Sequence, residues 1–179
     1  MKHIKRWGLM RSNREENVQE HSLQVAMIAH CLALIENKRY GGRVDPEHVM
    51  ALAVFHETAE VITGDLVTPI KYYNKEIQKA YKNVEKVAEE KMISLLPEEL
   101  RDDYRPLIQP EEEAYRYVKA ADTIAAYTKC LEELKSGNME FSMAKQTLQQ
   151  KIHDMNMPCA EDFLREFIPS FSMTLDELN

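Results

Sequence analysis

The sequence predicts an all-α protein, and three observations predict it. Glycine is scarce, with 5 in 179 residues, in a chain rich in Glu, Lys, Leu, Ala and Met, which are good helix formers. Apolar residues recur at spacings of three and four through most of the chain, the period of a helix with one face in a core. Helix start and stop signals bracket those runs: Asn17 with Glu20 three residues on, Asp45-Pro46, Thr63-Gly64 and Ser136-Gly137-Asn138.

The elements follow in order. Residues 1–16 alternate in charge around a single Trp and read equally as a short helix or an ordered arm. From Asn17 a capping box opens a helix whose inner stripe is His21, Val25, Ile28, Leu32 and Ile35, ending near Tyr40-Gly41-Gly42. Asp45-Pro46 starts a second helix, with Val49, Leu52 and Ala53 leading to His56 and Glu60 before Thr63-Gly64-Asp65 stops it. On that reading His56 and Glu60 stand one above the other at i and i+4. Val67-Thr68-Pro69 is expected to be extended, because the residue before Pro is pushed out of the α region.

A long amphipathic helix from Asn74 to Leu95 puts Ile77, Tyr81, Val84, Ala88 and Leu95 inward, and Leu96-Pro97 breaks it. A short piece from Glu98 to Leu107 is bounded by Pro106 and Pro110. Glu111 to Lys135 forms the next long helix, with Val118, Ala121, Ala125 and Leu131 facing in and Asp122 among them. Phe141, Ala144, Leu148 and Ile152 mark another, and Phe163, Leu164 and Phe167 a last one before Pro169.

Chain length suits one domain with a full core, residues 1–179. The formal charge of −7 and pI near 5.4 argue against a nucleic-acid polymer as partner, since such surfaces are basic. A single nucleotide remains open as substrate, because one phosphate needs only an Arg or a metal. Cys31, Cys130 and Cys159 are odd in number and widely spaced, which reads as reduced thiols of a cytoplasmic protein. No segment has the apolar length of a signal peptide or a membrane span.

Four polar groups interrupt apolar helical faces: His21, His56 with its neighbour Glu57, and Asp122. Singly, each has an ordinary explanation as a hydrogen-bonded or paired core residue. Together, four buried ionisable groups from three helices are costly without a shared compensation, and a divalent cation is the simplest one. Two imidazoles and two carboxylates suit Mn²⁺, Co²⁺, Fe²⁺ or Zn²⁺ with positions open to water and substrate. The absence of Cys speaks against a closed structural zinc site and for hydrolysis. The His56-Glu57-Thr58-Ala59-Glu60 run misses the H-E-x-x-H metalloprotease motif by its last residue, and the paired Glu-x-x-His elements of a ferritin-like di-metal bundle are not present.

The segments Arg6-Trp7, Glu20-His21-Ser22-Leu23-Gln24-Val25-Ala26, His56-Glu57-Thr58-Ala59-Glu60, Thr63-Gly64-Asp65-Leu66, Thr68-Pro69, Ala121-Asp122 and Lys129-Cys130-Leu131-Glu132-Glu133-Leu134 occur in that order. The ordered set resembles the bacterial HD-domain 5′-deoxynucleotidases from about Arg6 to Pro169-Ser170-Phe171. The resemblance implies a helical bundle of the HD type. It also implies release of phosphate from deoxyribonucleoside 5′-monophosphates, dependence on a divalent metal, often Co²⁺ or Mn²⁺, and a homodimer. By the same resemblance His21, His56, Glu57 and Asp122 are metal ligands and Glu60 is the catalytic carboxylate. Arg6 then orients the phosphate, Trp7 crowds the sugar edge against a 2′-hydroxyl, and Asp65, Leu66, Val67 and Thr68 form the loop that holds the sugar.

Two positions depart from the pattern. Glu57 stands where the family has Asp, one methylene longer, and Val67 where Pro is common. The first leaves an intact site with Glu57 as ligand, an altered metal preference or a weakened enzyme that still binds nucleotide; two competing readings stand beside the main one, an HD-type hydrolase of another nucleotide or phosphoester and a non-catalytic nucleotide-binding protein with a degenerate His-Glu site. Phe163 and Phe167 are the candidate dimer contacts.

Overall fold

Asn17 caps the first long helix as the spacing predicts: its side chain accepts from the Glu20 N–H at 3.0 Å, and the Glu20 carboxylate accepts from the Asn17 N–H at 3.3 Å. The structure, a computed structural model, describes residues 1–71, 73–110 and 113–178, apart from the side chains of Leu175 and Leu178. Helix α1 (Val18–Arg39) buries Val18, Val25, Ile28, Leu32 and Ile35 on one stripe, with Lys38 and Arg39 in its last turn, where cations suit the helix dipole.

Helix α2 (Pro46–Phe55) packs on α1 through Val49, Leu52 and Ala53. It stops seven residues before the sequence expectation. The His56 ring bonds back to the Ala53 carbonyl at 2.6 Å and Thr58 Oγ1 donates to the Phe55 carbonyl at 2.6 Å. Side chains of this kind offer the backbone an alternative to the helical ladder. The turn then runs on three-residue bonds, Thr58 N to Phe55 O and Glu60 N to Glu57 O, into the single-turn α3 (Glu60–Thr63). His56 and Glu60 are therefore not stacked residues of one regular helix. Gly64, at φ +70°, ends α3 with its N–H on the Glu60 carbonyl at 2.8 Å, a conformation that glycine adopts without strain.

Thr68 is likewise not extended: Thr68–Lys71 make a one-turn helix, α4. Pro69 lies in its first turn, where the missing N–H has no intrahelical partner to lose. Helix α5 (Lys75–Ser94) buries Ala88 and Ile93, whereas Val84 and Leu95 are exposed, contrary to the predicted stripe. Among the described residues the elements that chiefly pack on α5 are α3, α4 and α6, all of them short, which leaves part of its apolar face exposed. Helix α6 (Arg101–Ile108) contains Pro106 rather than ending at it. Pro106 and Asp102 are both exposed, so water can serve the Asp102 carbonyl that the proline leaves without an N–H partner.

Helix α7 (Tyr115–Lys135) is the central element, packed against α1, α2 and α8 (Ser142–Asp154). Its predicted start, Glu111, lies outside the described residues. Ala120, Ala121 and Ala125 face the Ala26 and Ala29 region of α1 in one apolar cluster, and small side chains let helices approach closely. Leu32, Leu52 and Ile124 are fully buried in that cluster, each contributing about 2–3 kcal/mol by leaving water. Helix α9 (Pro158–Glu166) closes the core with Phe163, which is 4 % exposed. Phe163 is thus a core residue stacked on Phe167, rings 4.8 Å apart, and not a surface contact; Phe167 is exposed.

Residues before Asn17 form an ordered arm. A single antiparallel bridge joins Lys5 to Asn17, with Arg6 N–H on the Glu16 carbonyl and Val18 N–H on the Ile4 carbonyl, both at 3.0 Å. No described helix is long and apolar enough to cross a membrane.

Candidate metal centre

Three helical pieces and the arm bring the predicted residues together. His21 sits in the first turns of α1 because the Asn17 cap starts the helix three residues earlier; its ring is fully buried. Asp122 projects from the middle of α7, and its Oδ1 lies 3.0 Å from His21 Nε2. His56 caps α2, with its ring 5.5 Å from that of His21. Glu57 follows, Oε1 at 3.4 Å from His56 Nε2. One donor atom from each of these four residues lies within 4.8 Å of all the others.

The donor set fits a divalent ion. Two donors on one first-row ion at about 2.1 Å stand about 3.0 Å apart at right angles and about 3.4 Å at the tetrahedral angle. The His21–Asp122 and His56–Glu57 spacings match those edges. A carbonyl oxygen only accepts, so His56 Nδ1 carries the proton toward Ala53, and Nε2 is left with a free lone pair. That Nε2 is buried without a hydrogen-bond partner. Burial also pushes the His56 pKa down, against the pull of Glu57 and Asp122, so the ring is neutral and able to ligate.

The surrounding charges complete the site. Arg6 is nearly buried, its Nε 3.4 Å from Glu16 Oε2 and its Nη1 3.8 Å from Glu57 Oε1. Burial disfavours its charge, but Asp122, Glu16, Glu57 and Asp65 more than offset that and raise its pKa. Glu60 is 8 % exposed, with Oε2 unpartnered; burial, then the charge of Glu57, holds its carboxyl well above the usual range. Asp65 is raised too, by burial, with Arg6 opposing.

Trp7 holds a left-handed backbone at φ +61°, uncommon for a residue with a side chain. Its Nε1–H donates to Glu16 Oε2 at 2.8 Å and its ring lies 5.2 Å from that of Phe141. A Cβ on Gly8 would meet Val67 Cγ1 at 3.8 Å, so the arm and the loop after α3 come together there. Leu66 is half-buried and Thr68 exposed, and neither hydrogen-bonds the four-residue cluster.

A family model described as 5′-deoxynucleotidase YfbR-like matches residues 1–171. The chain belongs to the YfbR-like 5′-deoxynucleotidase family. It is 53 % identical over 182 residues to a Vibrio vulnificus protein named 5′-deoxynucleotidase, covering 100 % of this chain and 94 % of that one. Against the 5′-deoxynucleotidase YfbR of Salmonella arizonae the identity is 48 % over 182 residues, with 100 % and 92 % covered. An HD-domain phosphohydrolase of Listeria innocua shares the fold at TM-score 0.82 and 24 % identity, over 94 % of this chain and 82 % of its own.

Two residues of this YfbR-like site escaped sequence reasoning. Glu16 contacts both Trp7 and Arg6, and its Oε1 lies 4.0 Å from His21 Nδ1, beyond hydrogen-bond distance, which leaves that nitrogen buried without a partner. It lies in a charged arm with no periodicity, one residue before a cap, so no pattern marked it. Tyr115 lies two turns before Asp122 on the same side of α7, packed against the apolar cluster; burial, then the charges of Glu57 and Asp122, raises its pKa. As one Tyr among 8, it carried no signal.

Proposed function

We infer that this protein is a divalent-metal-dependent phosphomonohydrolase that releases phosphate from deoxyribonucleoside 5′-monophosphates. The observation that carries the reading is the convergence of His21, His56, Glu57 and Asp122 beside the Arg6 guanidinium, in a chain whose relatives at about half identity are named 5′-deoxynucleotidases. The four residues hold the ion in this reading. Two nitrogens and two oxygens without thiolate favour Co²⁺ or Mn²⁺, and suit Zn²⁺ or Fe²⁺ as well. Once bound, the ion draws charge off the phosphoryl oxygens and lowers the pKa of water held there.

The protein's own groups supply the rest. Arg6, kept charged by the acids around it, grips the phosphate with a planar fork of donors. As the water oxygen bonds to phosphorus and the bond to the 5′-oxygen breaks, Glu60 manages the proton that the departing oxygen takes up. Its free Oε2 is the group for that task. Trp7, fixed by Glu16, crowds the 2′ edge of the sugar, and Asp65, Leu66, Val67 and Thr68 line the loop that holds it. The chain acts as one HD-type domain over residues 1–179, in the cytoplasm and as a homodimer, with no nucleic-acid polymer as partner.

The deciding experiment pairs elemental analysis after metal reconstitution with phosphate release from dAMP and AMP. About one ion per chain, with turnover of dAMP well above AMP, is the expected result. Bound dNMP without turnover under Mn²⁺ or Co²⁺ would favour the non-catalytic alternative, and faster turnover of another phosphoester would favour a different HD-type hydrolase.

A further inference from the structure

Two buried charges stand apart from the metal centre, and none of the roles above uses them. Lys129 and Glu133 on α7 pair at 2.6 Å, with side chains 4 % and 1 % exposed. They follow Asp122 by 7 and 11 residues, so they share its side of the helix, about 10 and 16 Å further along the axis. Their other partners hold the arm. Glu133 accepts from the backbone N–H of Asn13 at 2.8 Å and of Arg14 at 3.2 Å, and from Asn138 Nδ2 at 2.9 Å. Lys129 Nζ donates to the Arg14 carbonyl, and Asn138 Nδ2 donates to the Arg11 carbonyl.

A buried ion pair is a weak way to stabilise a helix, because apolar residues of similar volume pack there without losing hydration. What this pair offers, and Met or Leu would not, is acceptors and a donor for backbone that has no ladder of its own. Beyond the Lys5–Asn17 bridge, residues 11–14 are held from outside by α7 and the turn after it. The same arm presents Arg6 and the left-handed Trp7 to the site.

We propose that Lys129 and Glu133 are positioning residues that dock the N-terminal arm and so set the preference for deoxyribose over ribose. The proposal rests on the role given to Trp7 under the proposed function. It makes one face of α7 responsible both for a metal ligand and for the register of the sugar-sensing arm.

Trp7 is the single Trp of the chain, so its fluorescence reports docking of the arm directly. Glu133→Gln and the double variant Lys129→Met/Glu133→Leu are compared with the parent; the double variant removes both charges at once and leaves no unpaired one. Both are expected to keep the far-UV helical signal and bound Mn²⁺ per chain, while Trp emission shifts red and acrylamide quenching rises. The dAMP-to-AMP preference, in kcat/KM and in binding by calorimetry, should fall about tenfold, mainly through a lower KM for AMP. An unchanged preference in a variant whose Trp7 has become exposed would overturn the proposal, as would unchanged Trp emission or loss of helical signal in both variants. Should the parent show no turnover at all, the hydrolase reading fails, while fluorescence and nucleotide binding still decide whether the pair docks the arm.

Discussion

Asp122 and His21 meet across 101 positions of sequence, Oδ1 to Nε2 at 3.0 Å, where α7 crosses α1. Burial alone would raise the Asp122 pKa, yet the His21 ring at hydrogen-bond distance, with His56 and Arg6 nearby, holds it below the ordinary carboxylate range. The contact joins the two helices that make most of the core, so a bound ion would tie the turn after α2 to them. Chelation of the metal should therefore lower the thermal midpoint, and Mn²⁺ at a hundredfold excess over its dissociation constant should restore about 2.7 kcal/mol. Asp122→Ala should abolish that metal-dependent shift in a thermal melt.

Glu57 reaches His56 Nε2 at 3.4 Å and Arg6 Nη1 at 3.8 Å with one oxygen. Glu57→Asp withdraws that oxygen by one methylene, restoring the residue typical of the family. Metal should still bind, with kcat at or above the parent value. A fall of more than about tenfold would mean that the site is refitted around the longer side chain, since small misplacements of reacting groups carry penalties of that size.

Glu60 has no place in the four-residue ligand cluster. Glu60→Gln is expected to leave bound metal at the parent level while kcat falls on the order of 10²–10⁴, the usual contribution of general acid–base catalysis. Loss of metal in this variant would reassign Glu60 as a ligand.

Trp7→Ala removes the ring between Glu16 and Phe141. Turnover of AMP relative to dAMP should rise by about tenfold or more, the scale on which an apolar wall discriminates small groups. Parallel kinetics on the two nucleotides check this.

Asp162 ties α9 to the end of α1, accepting from Arg39 at 2.8 Å and Tyr40 at 2.9 Å, and from Arg165. The Arg39 bond is the main cause that lowers its pKa to about 2, against burial. An Asp unfolds with a pKa near 3.9, so the folded state gains stability above that pH and loses it as pH falls toward 2. Asp162→Asn should be less stable than the parent to urea at pH 6, with the difference fading by about pH 2.

The four metal-capable residues stood out because each breaks an apolar helical stripe, and the caps at Asn17 and Asp45 were legible too, their side chains bonding as the spacing predicts. The interruption at His56 was not, because it depends on bonds to the Ala53 and Phe55 carbonyls that no periodicity encodes. Val84 and Leu95 look like core in a helical wheel, but whether a stripe is covered depends on the elements that reach it.

The sequence by itself determined the all-α class, the long helices α1, α5 and α7 and the identity of the four metal-capable residues, because these follow from local propensity, capping and a 3.6-residue period. Tertiary structure alone decided that those residues meet within 4.8 Å, that Glu16 holds Trp7, and that Lys129 and Glu133 grip the arm. The contacts of Asp122, Lys129 and Glu133 link positions more than 100 residues apart in the chain. Their geometry is set by how α7 packs on α1, a property of packed side-chain surfaces rather than of any single segment.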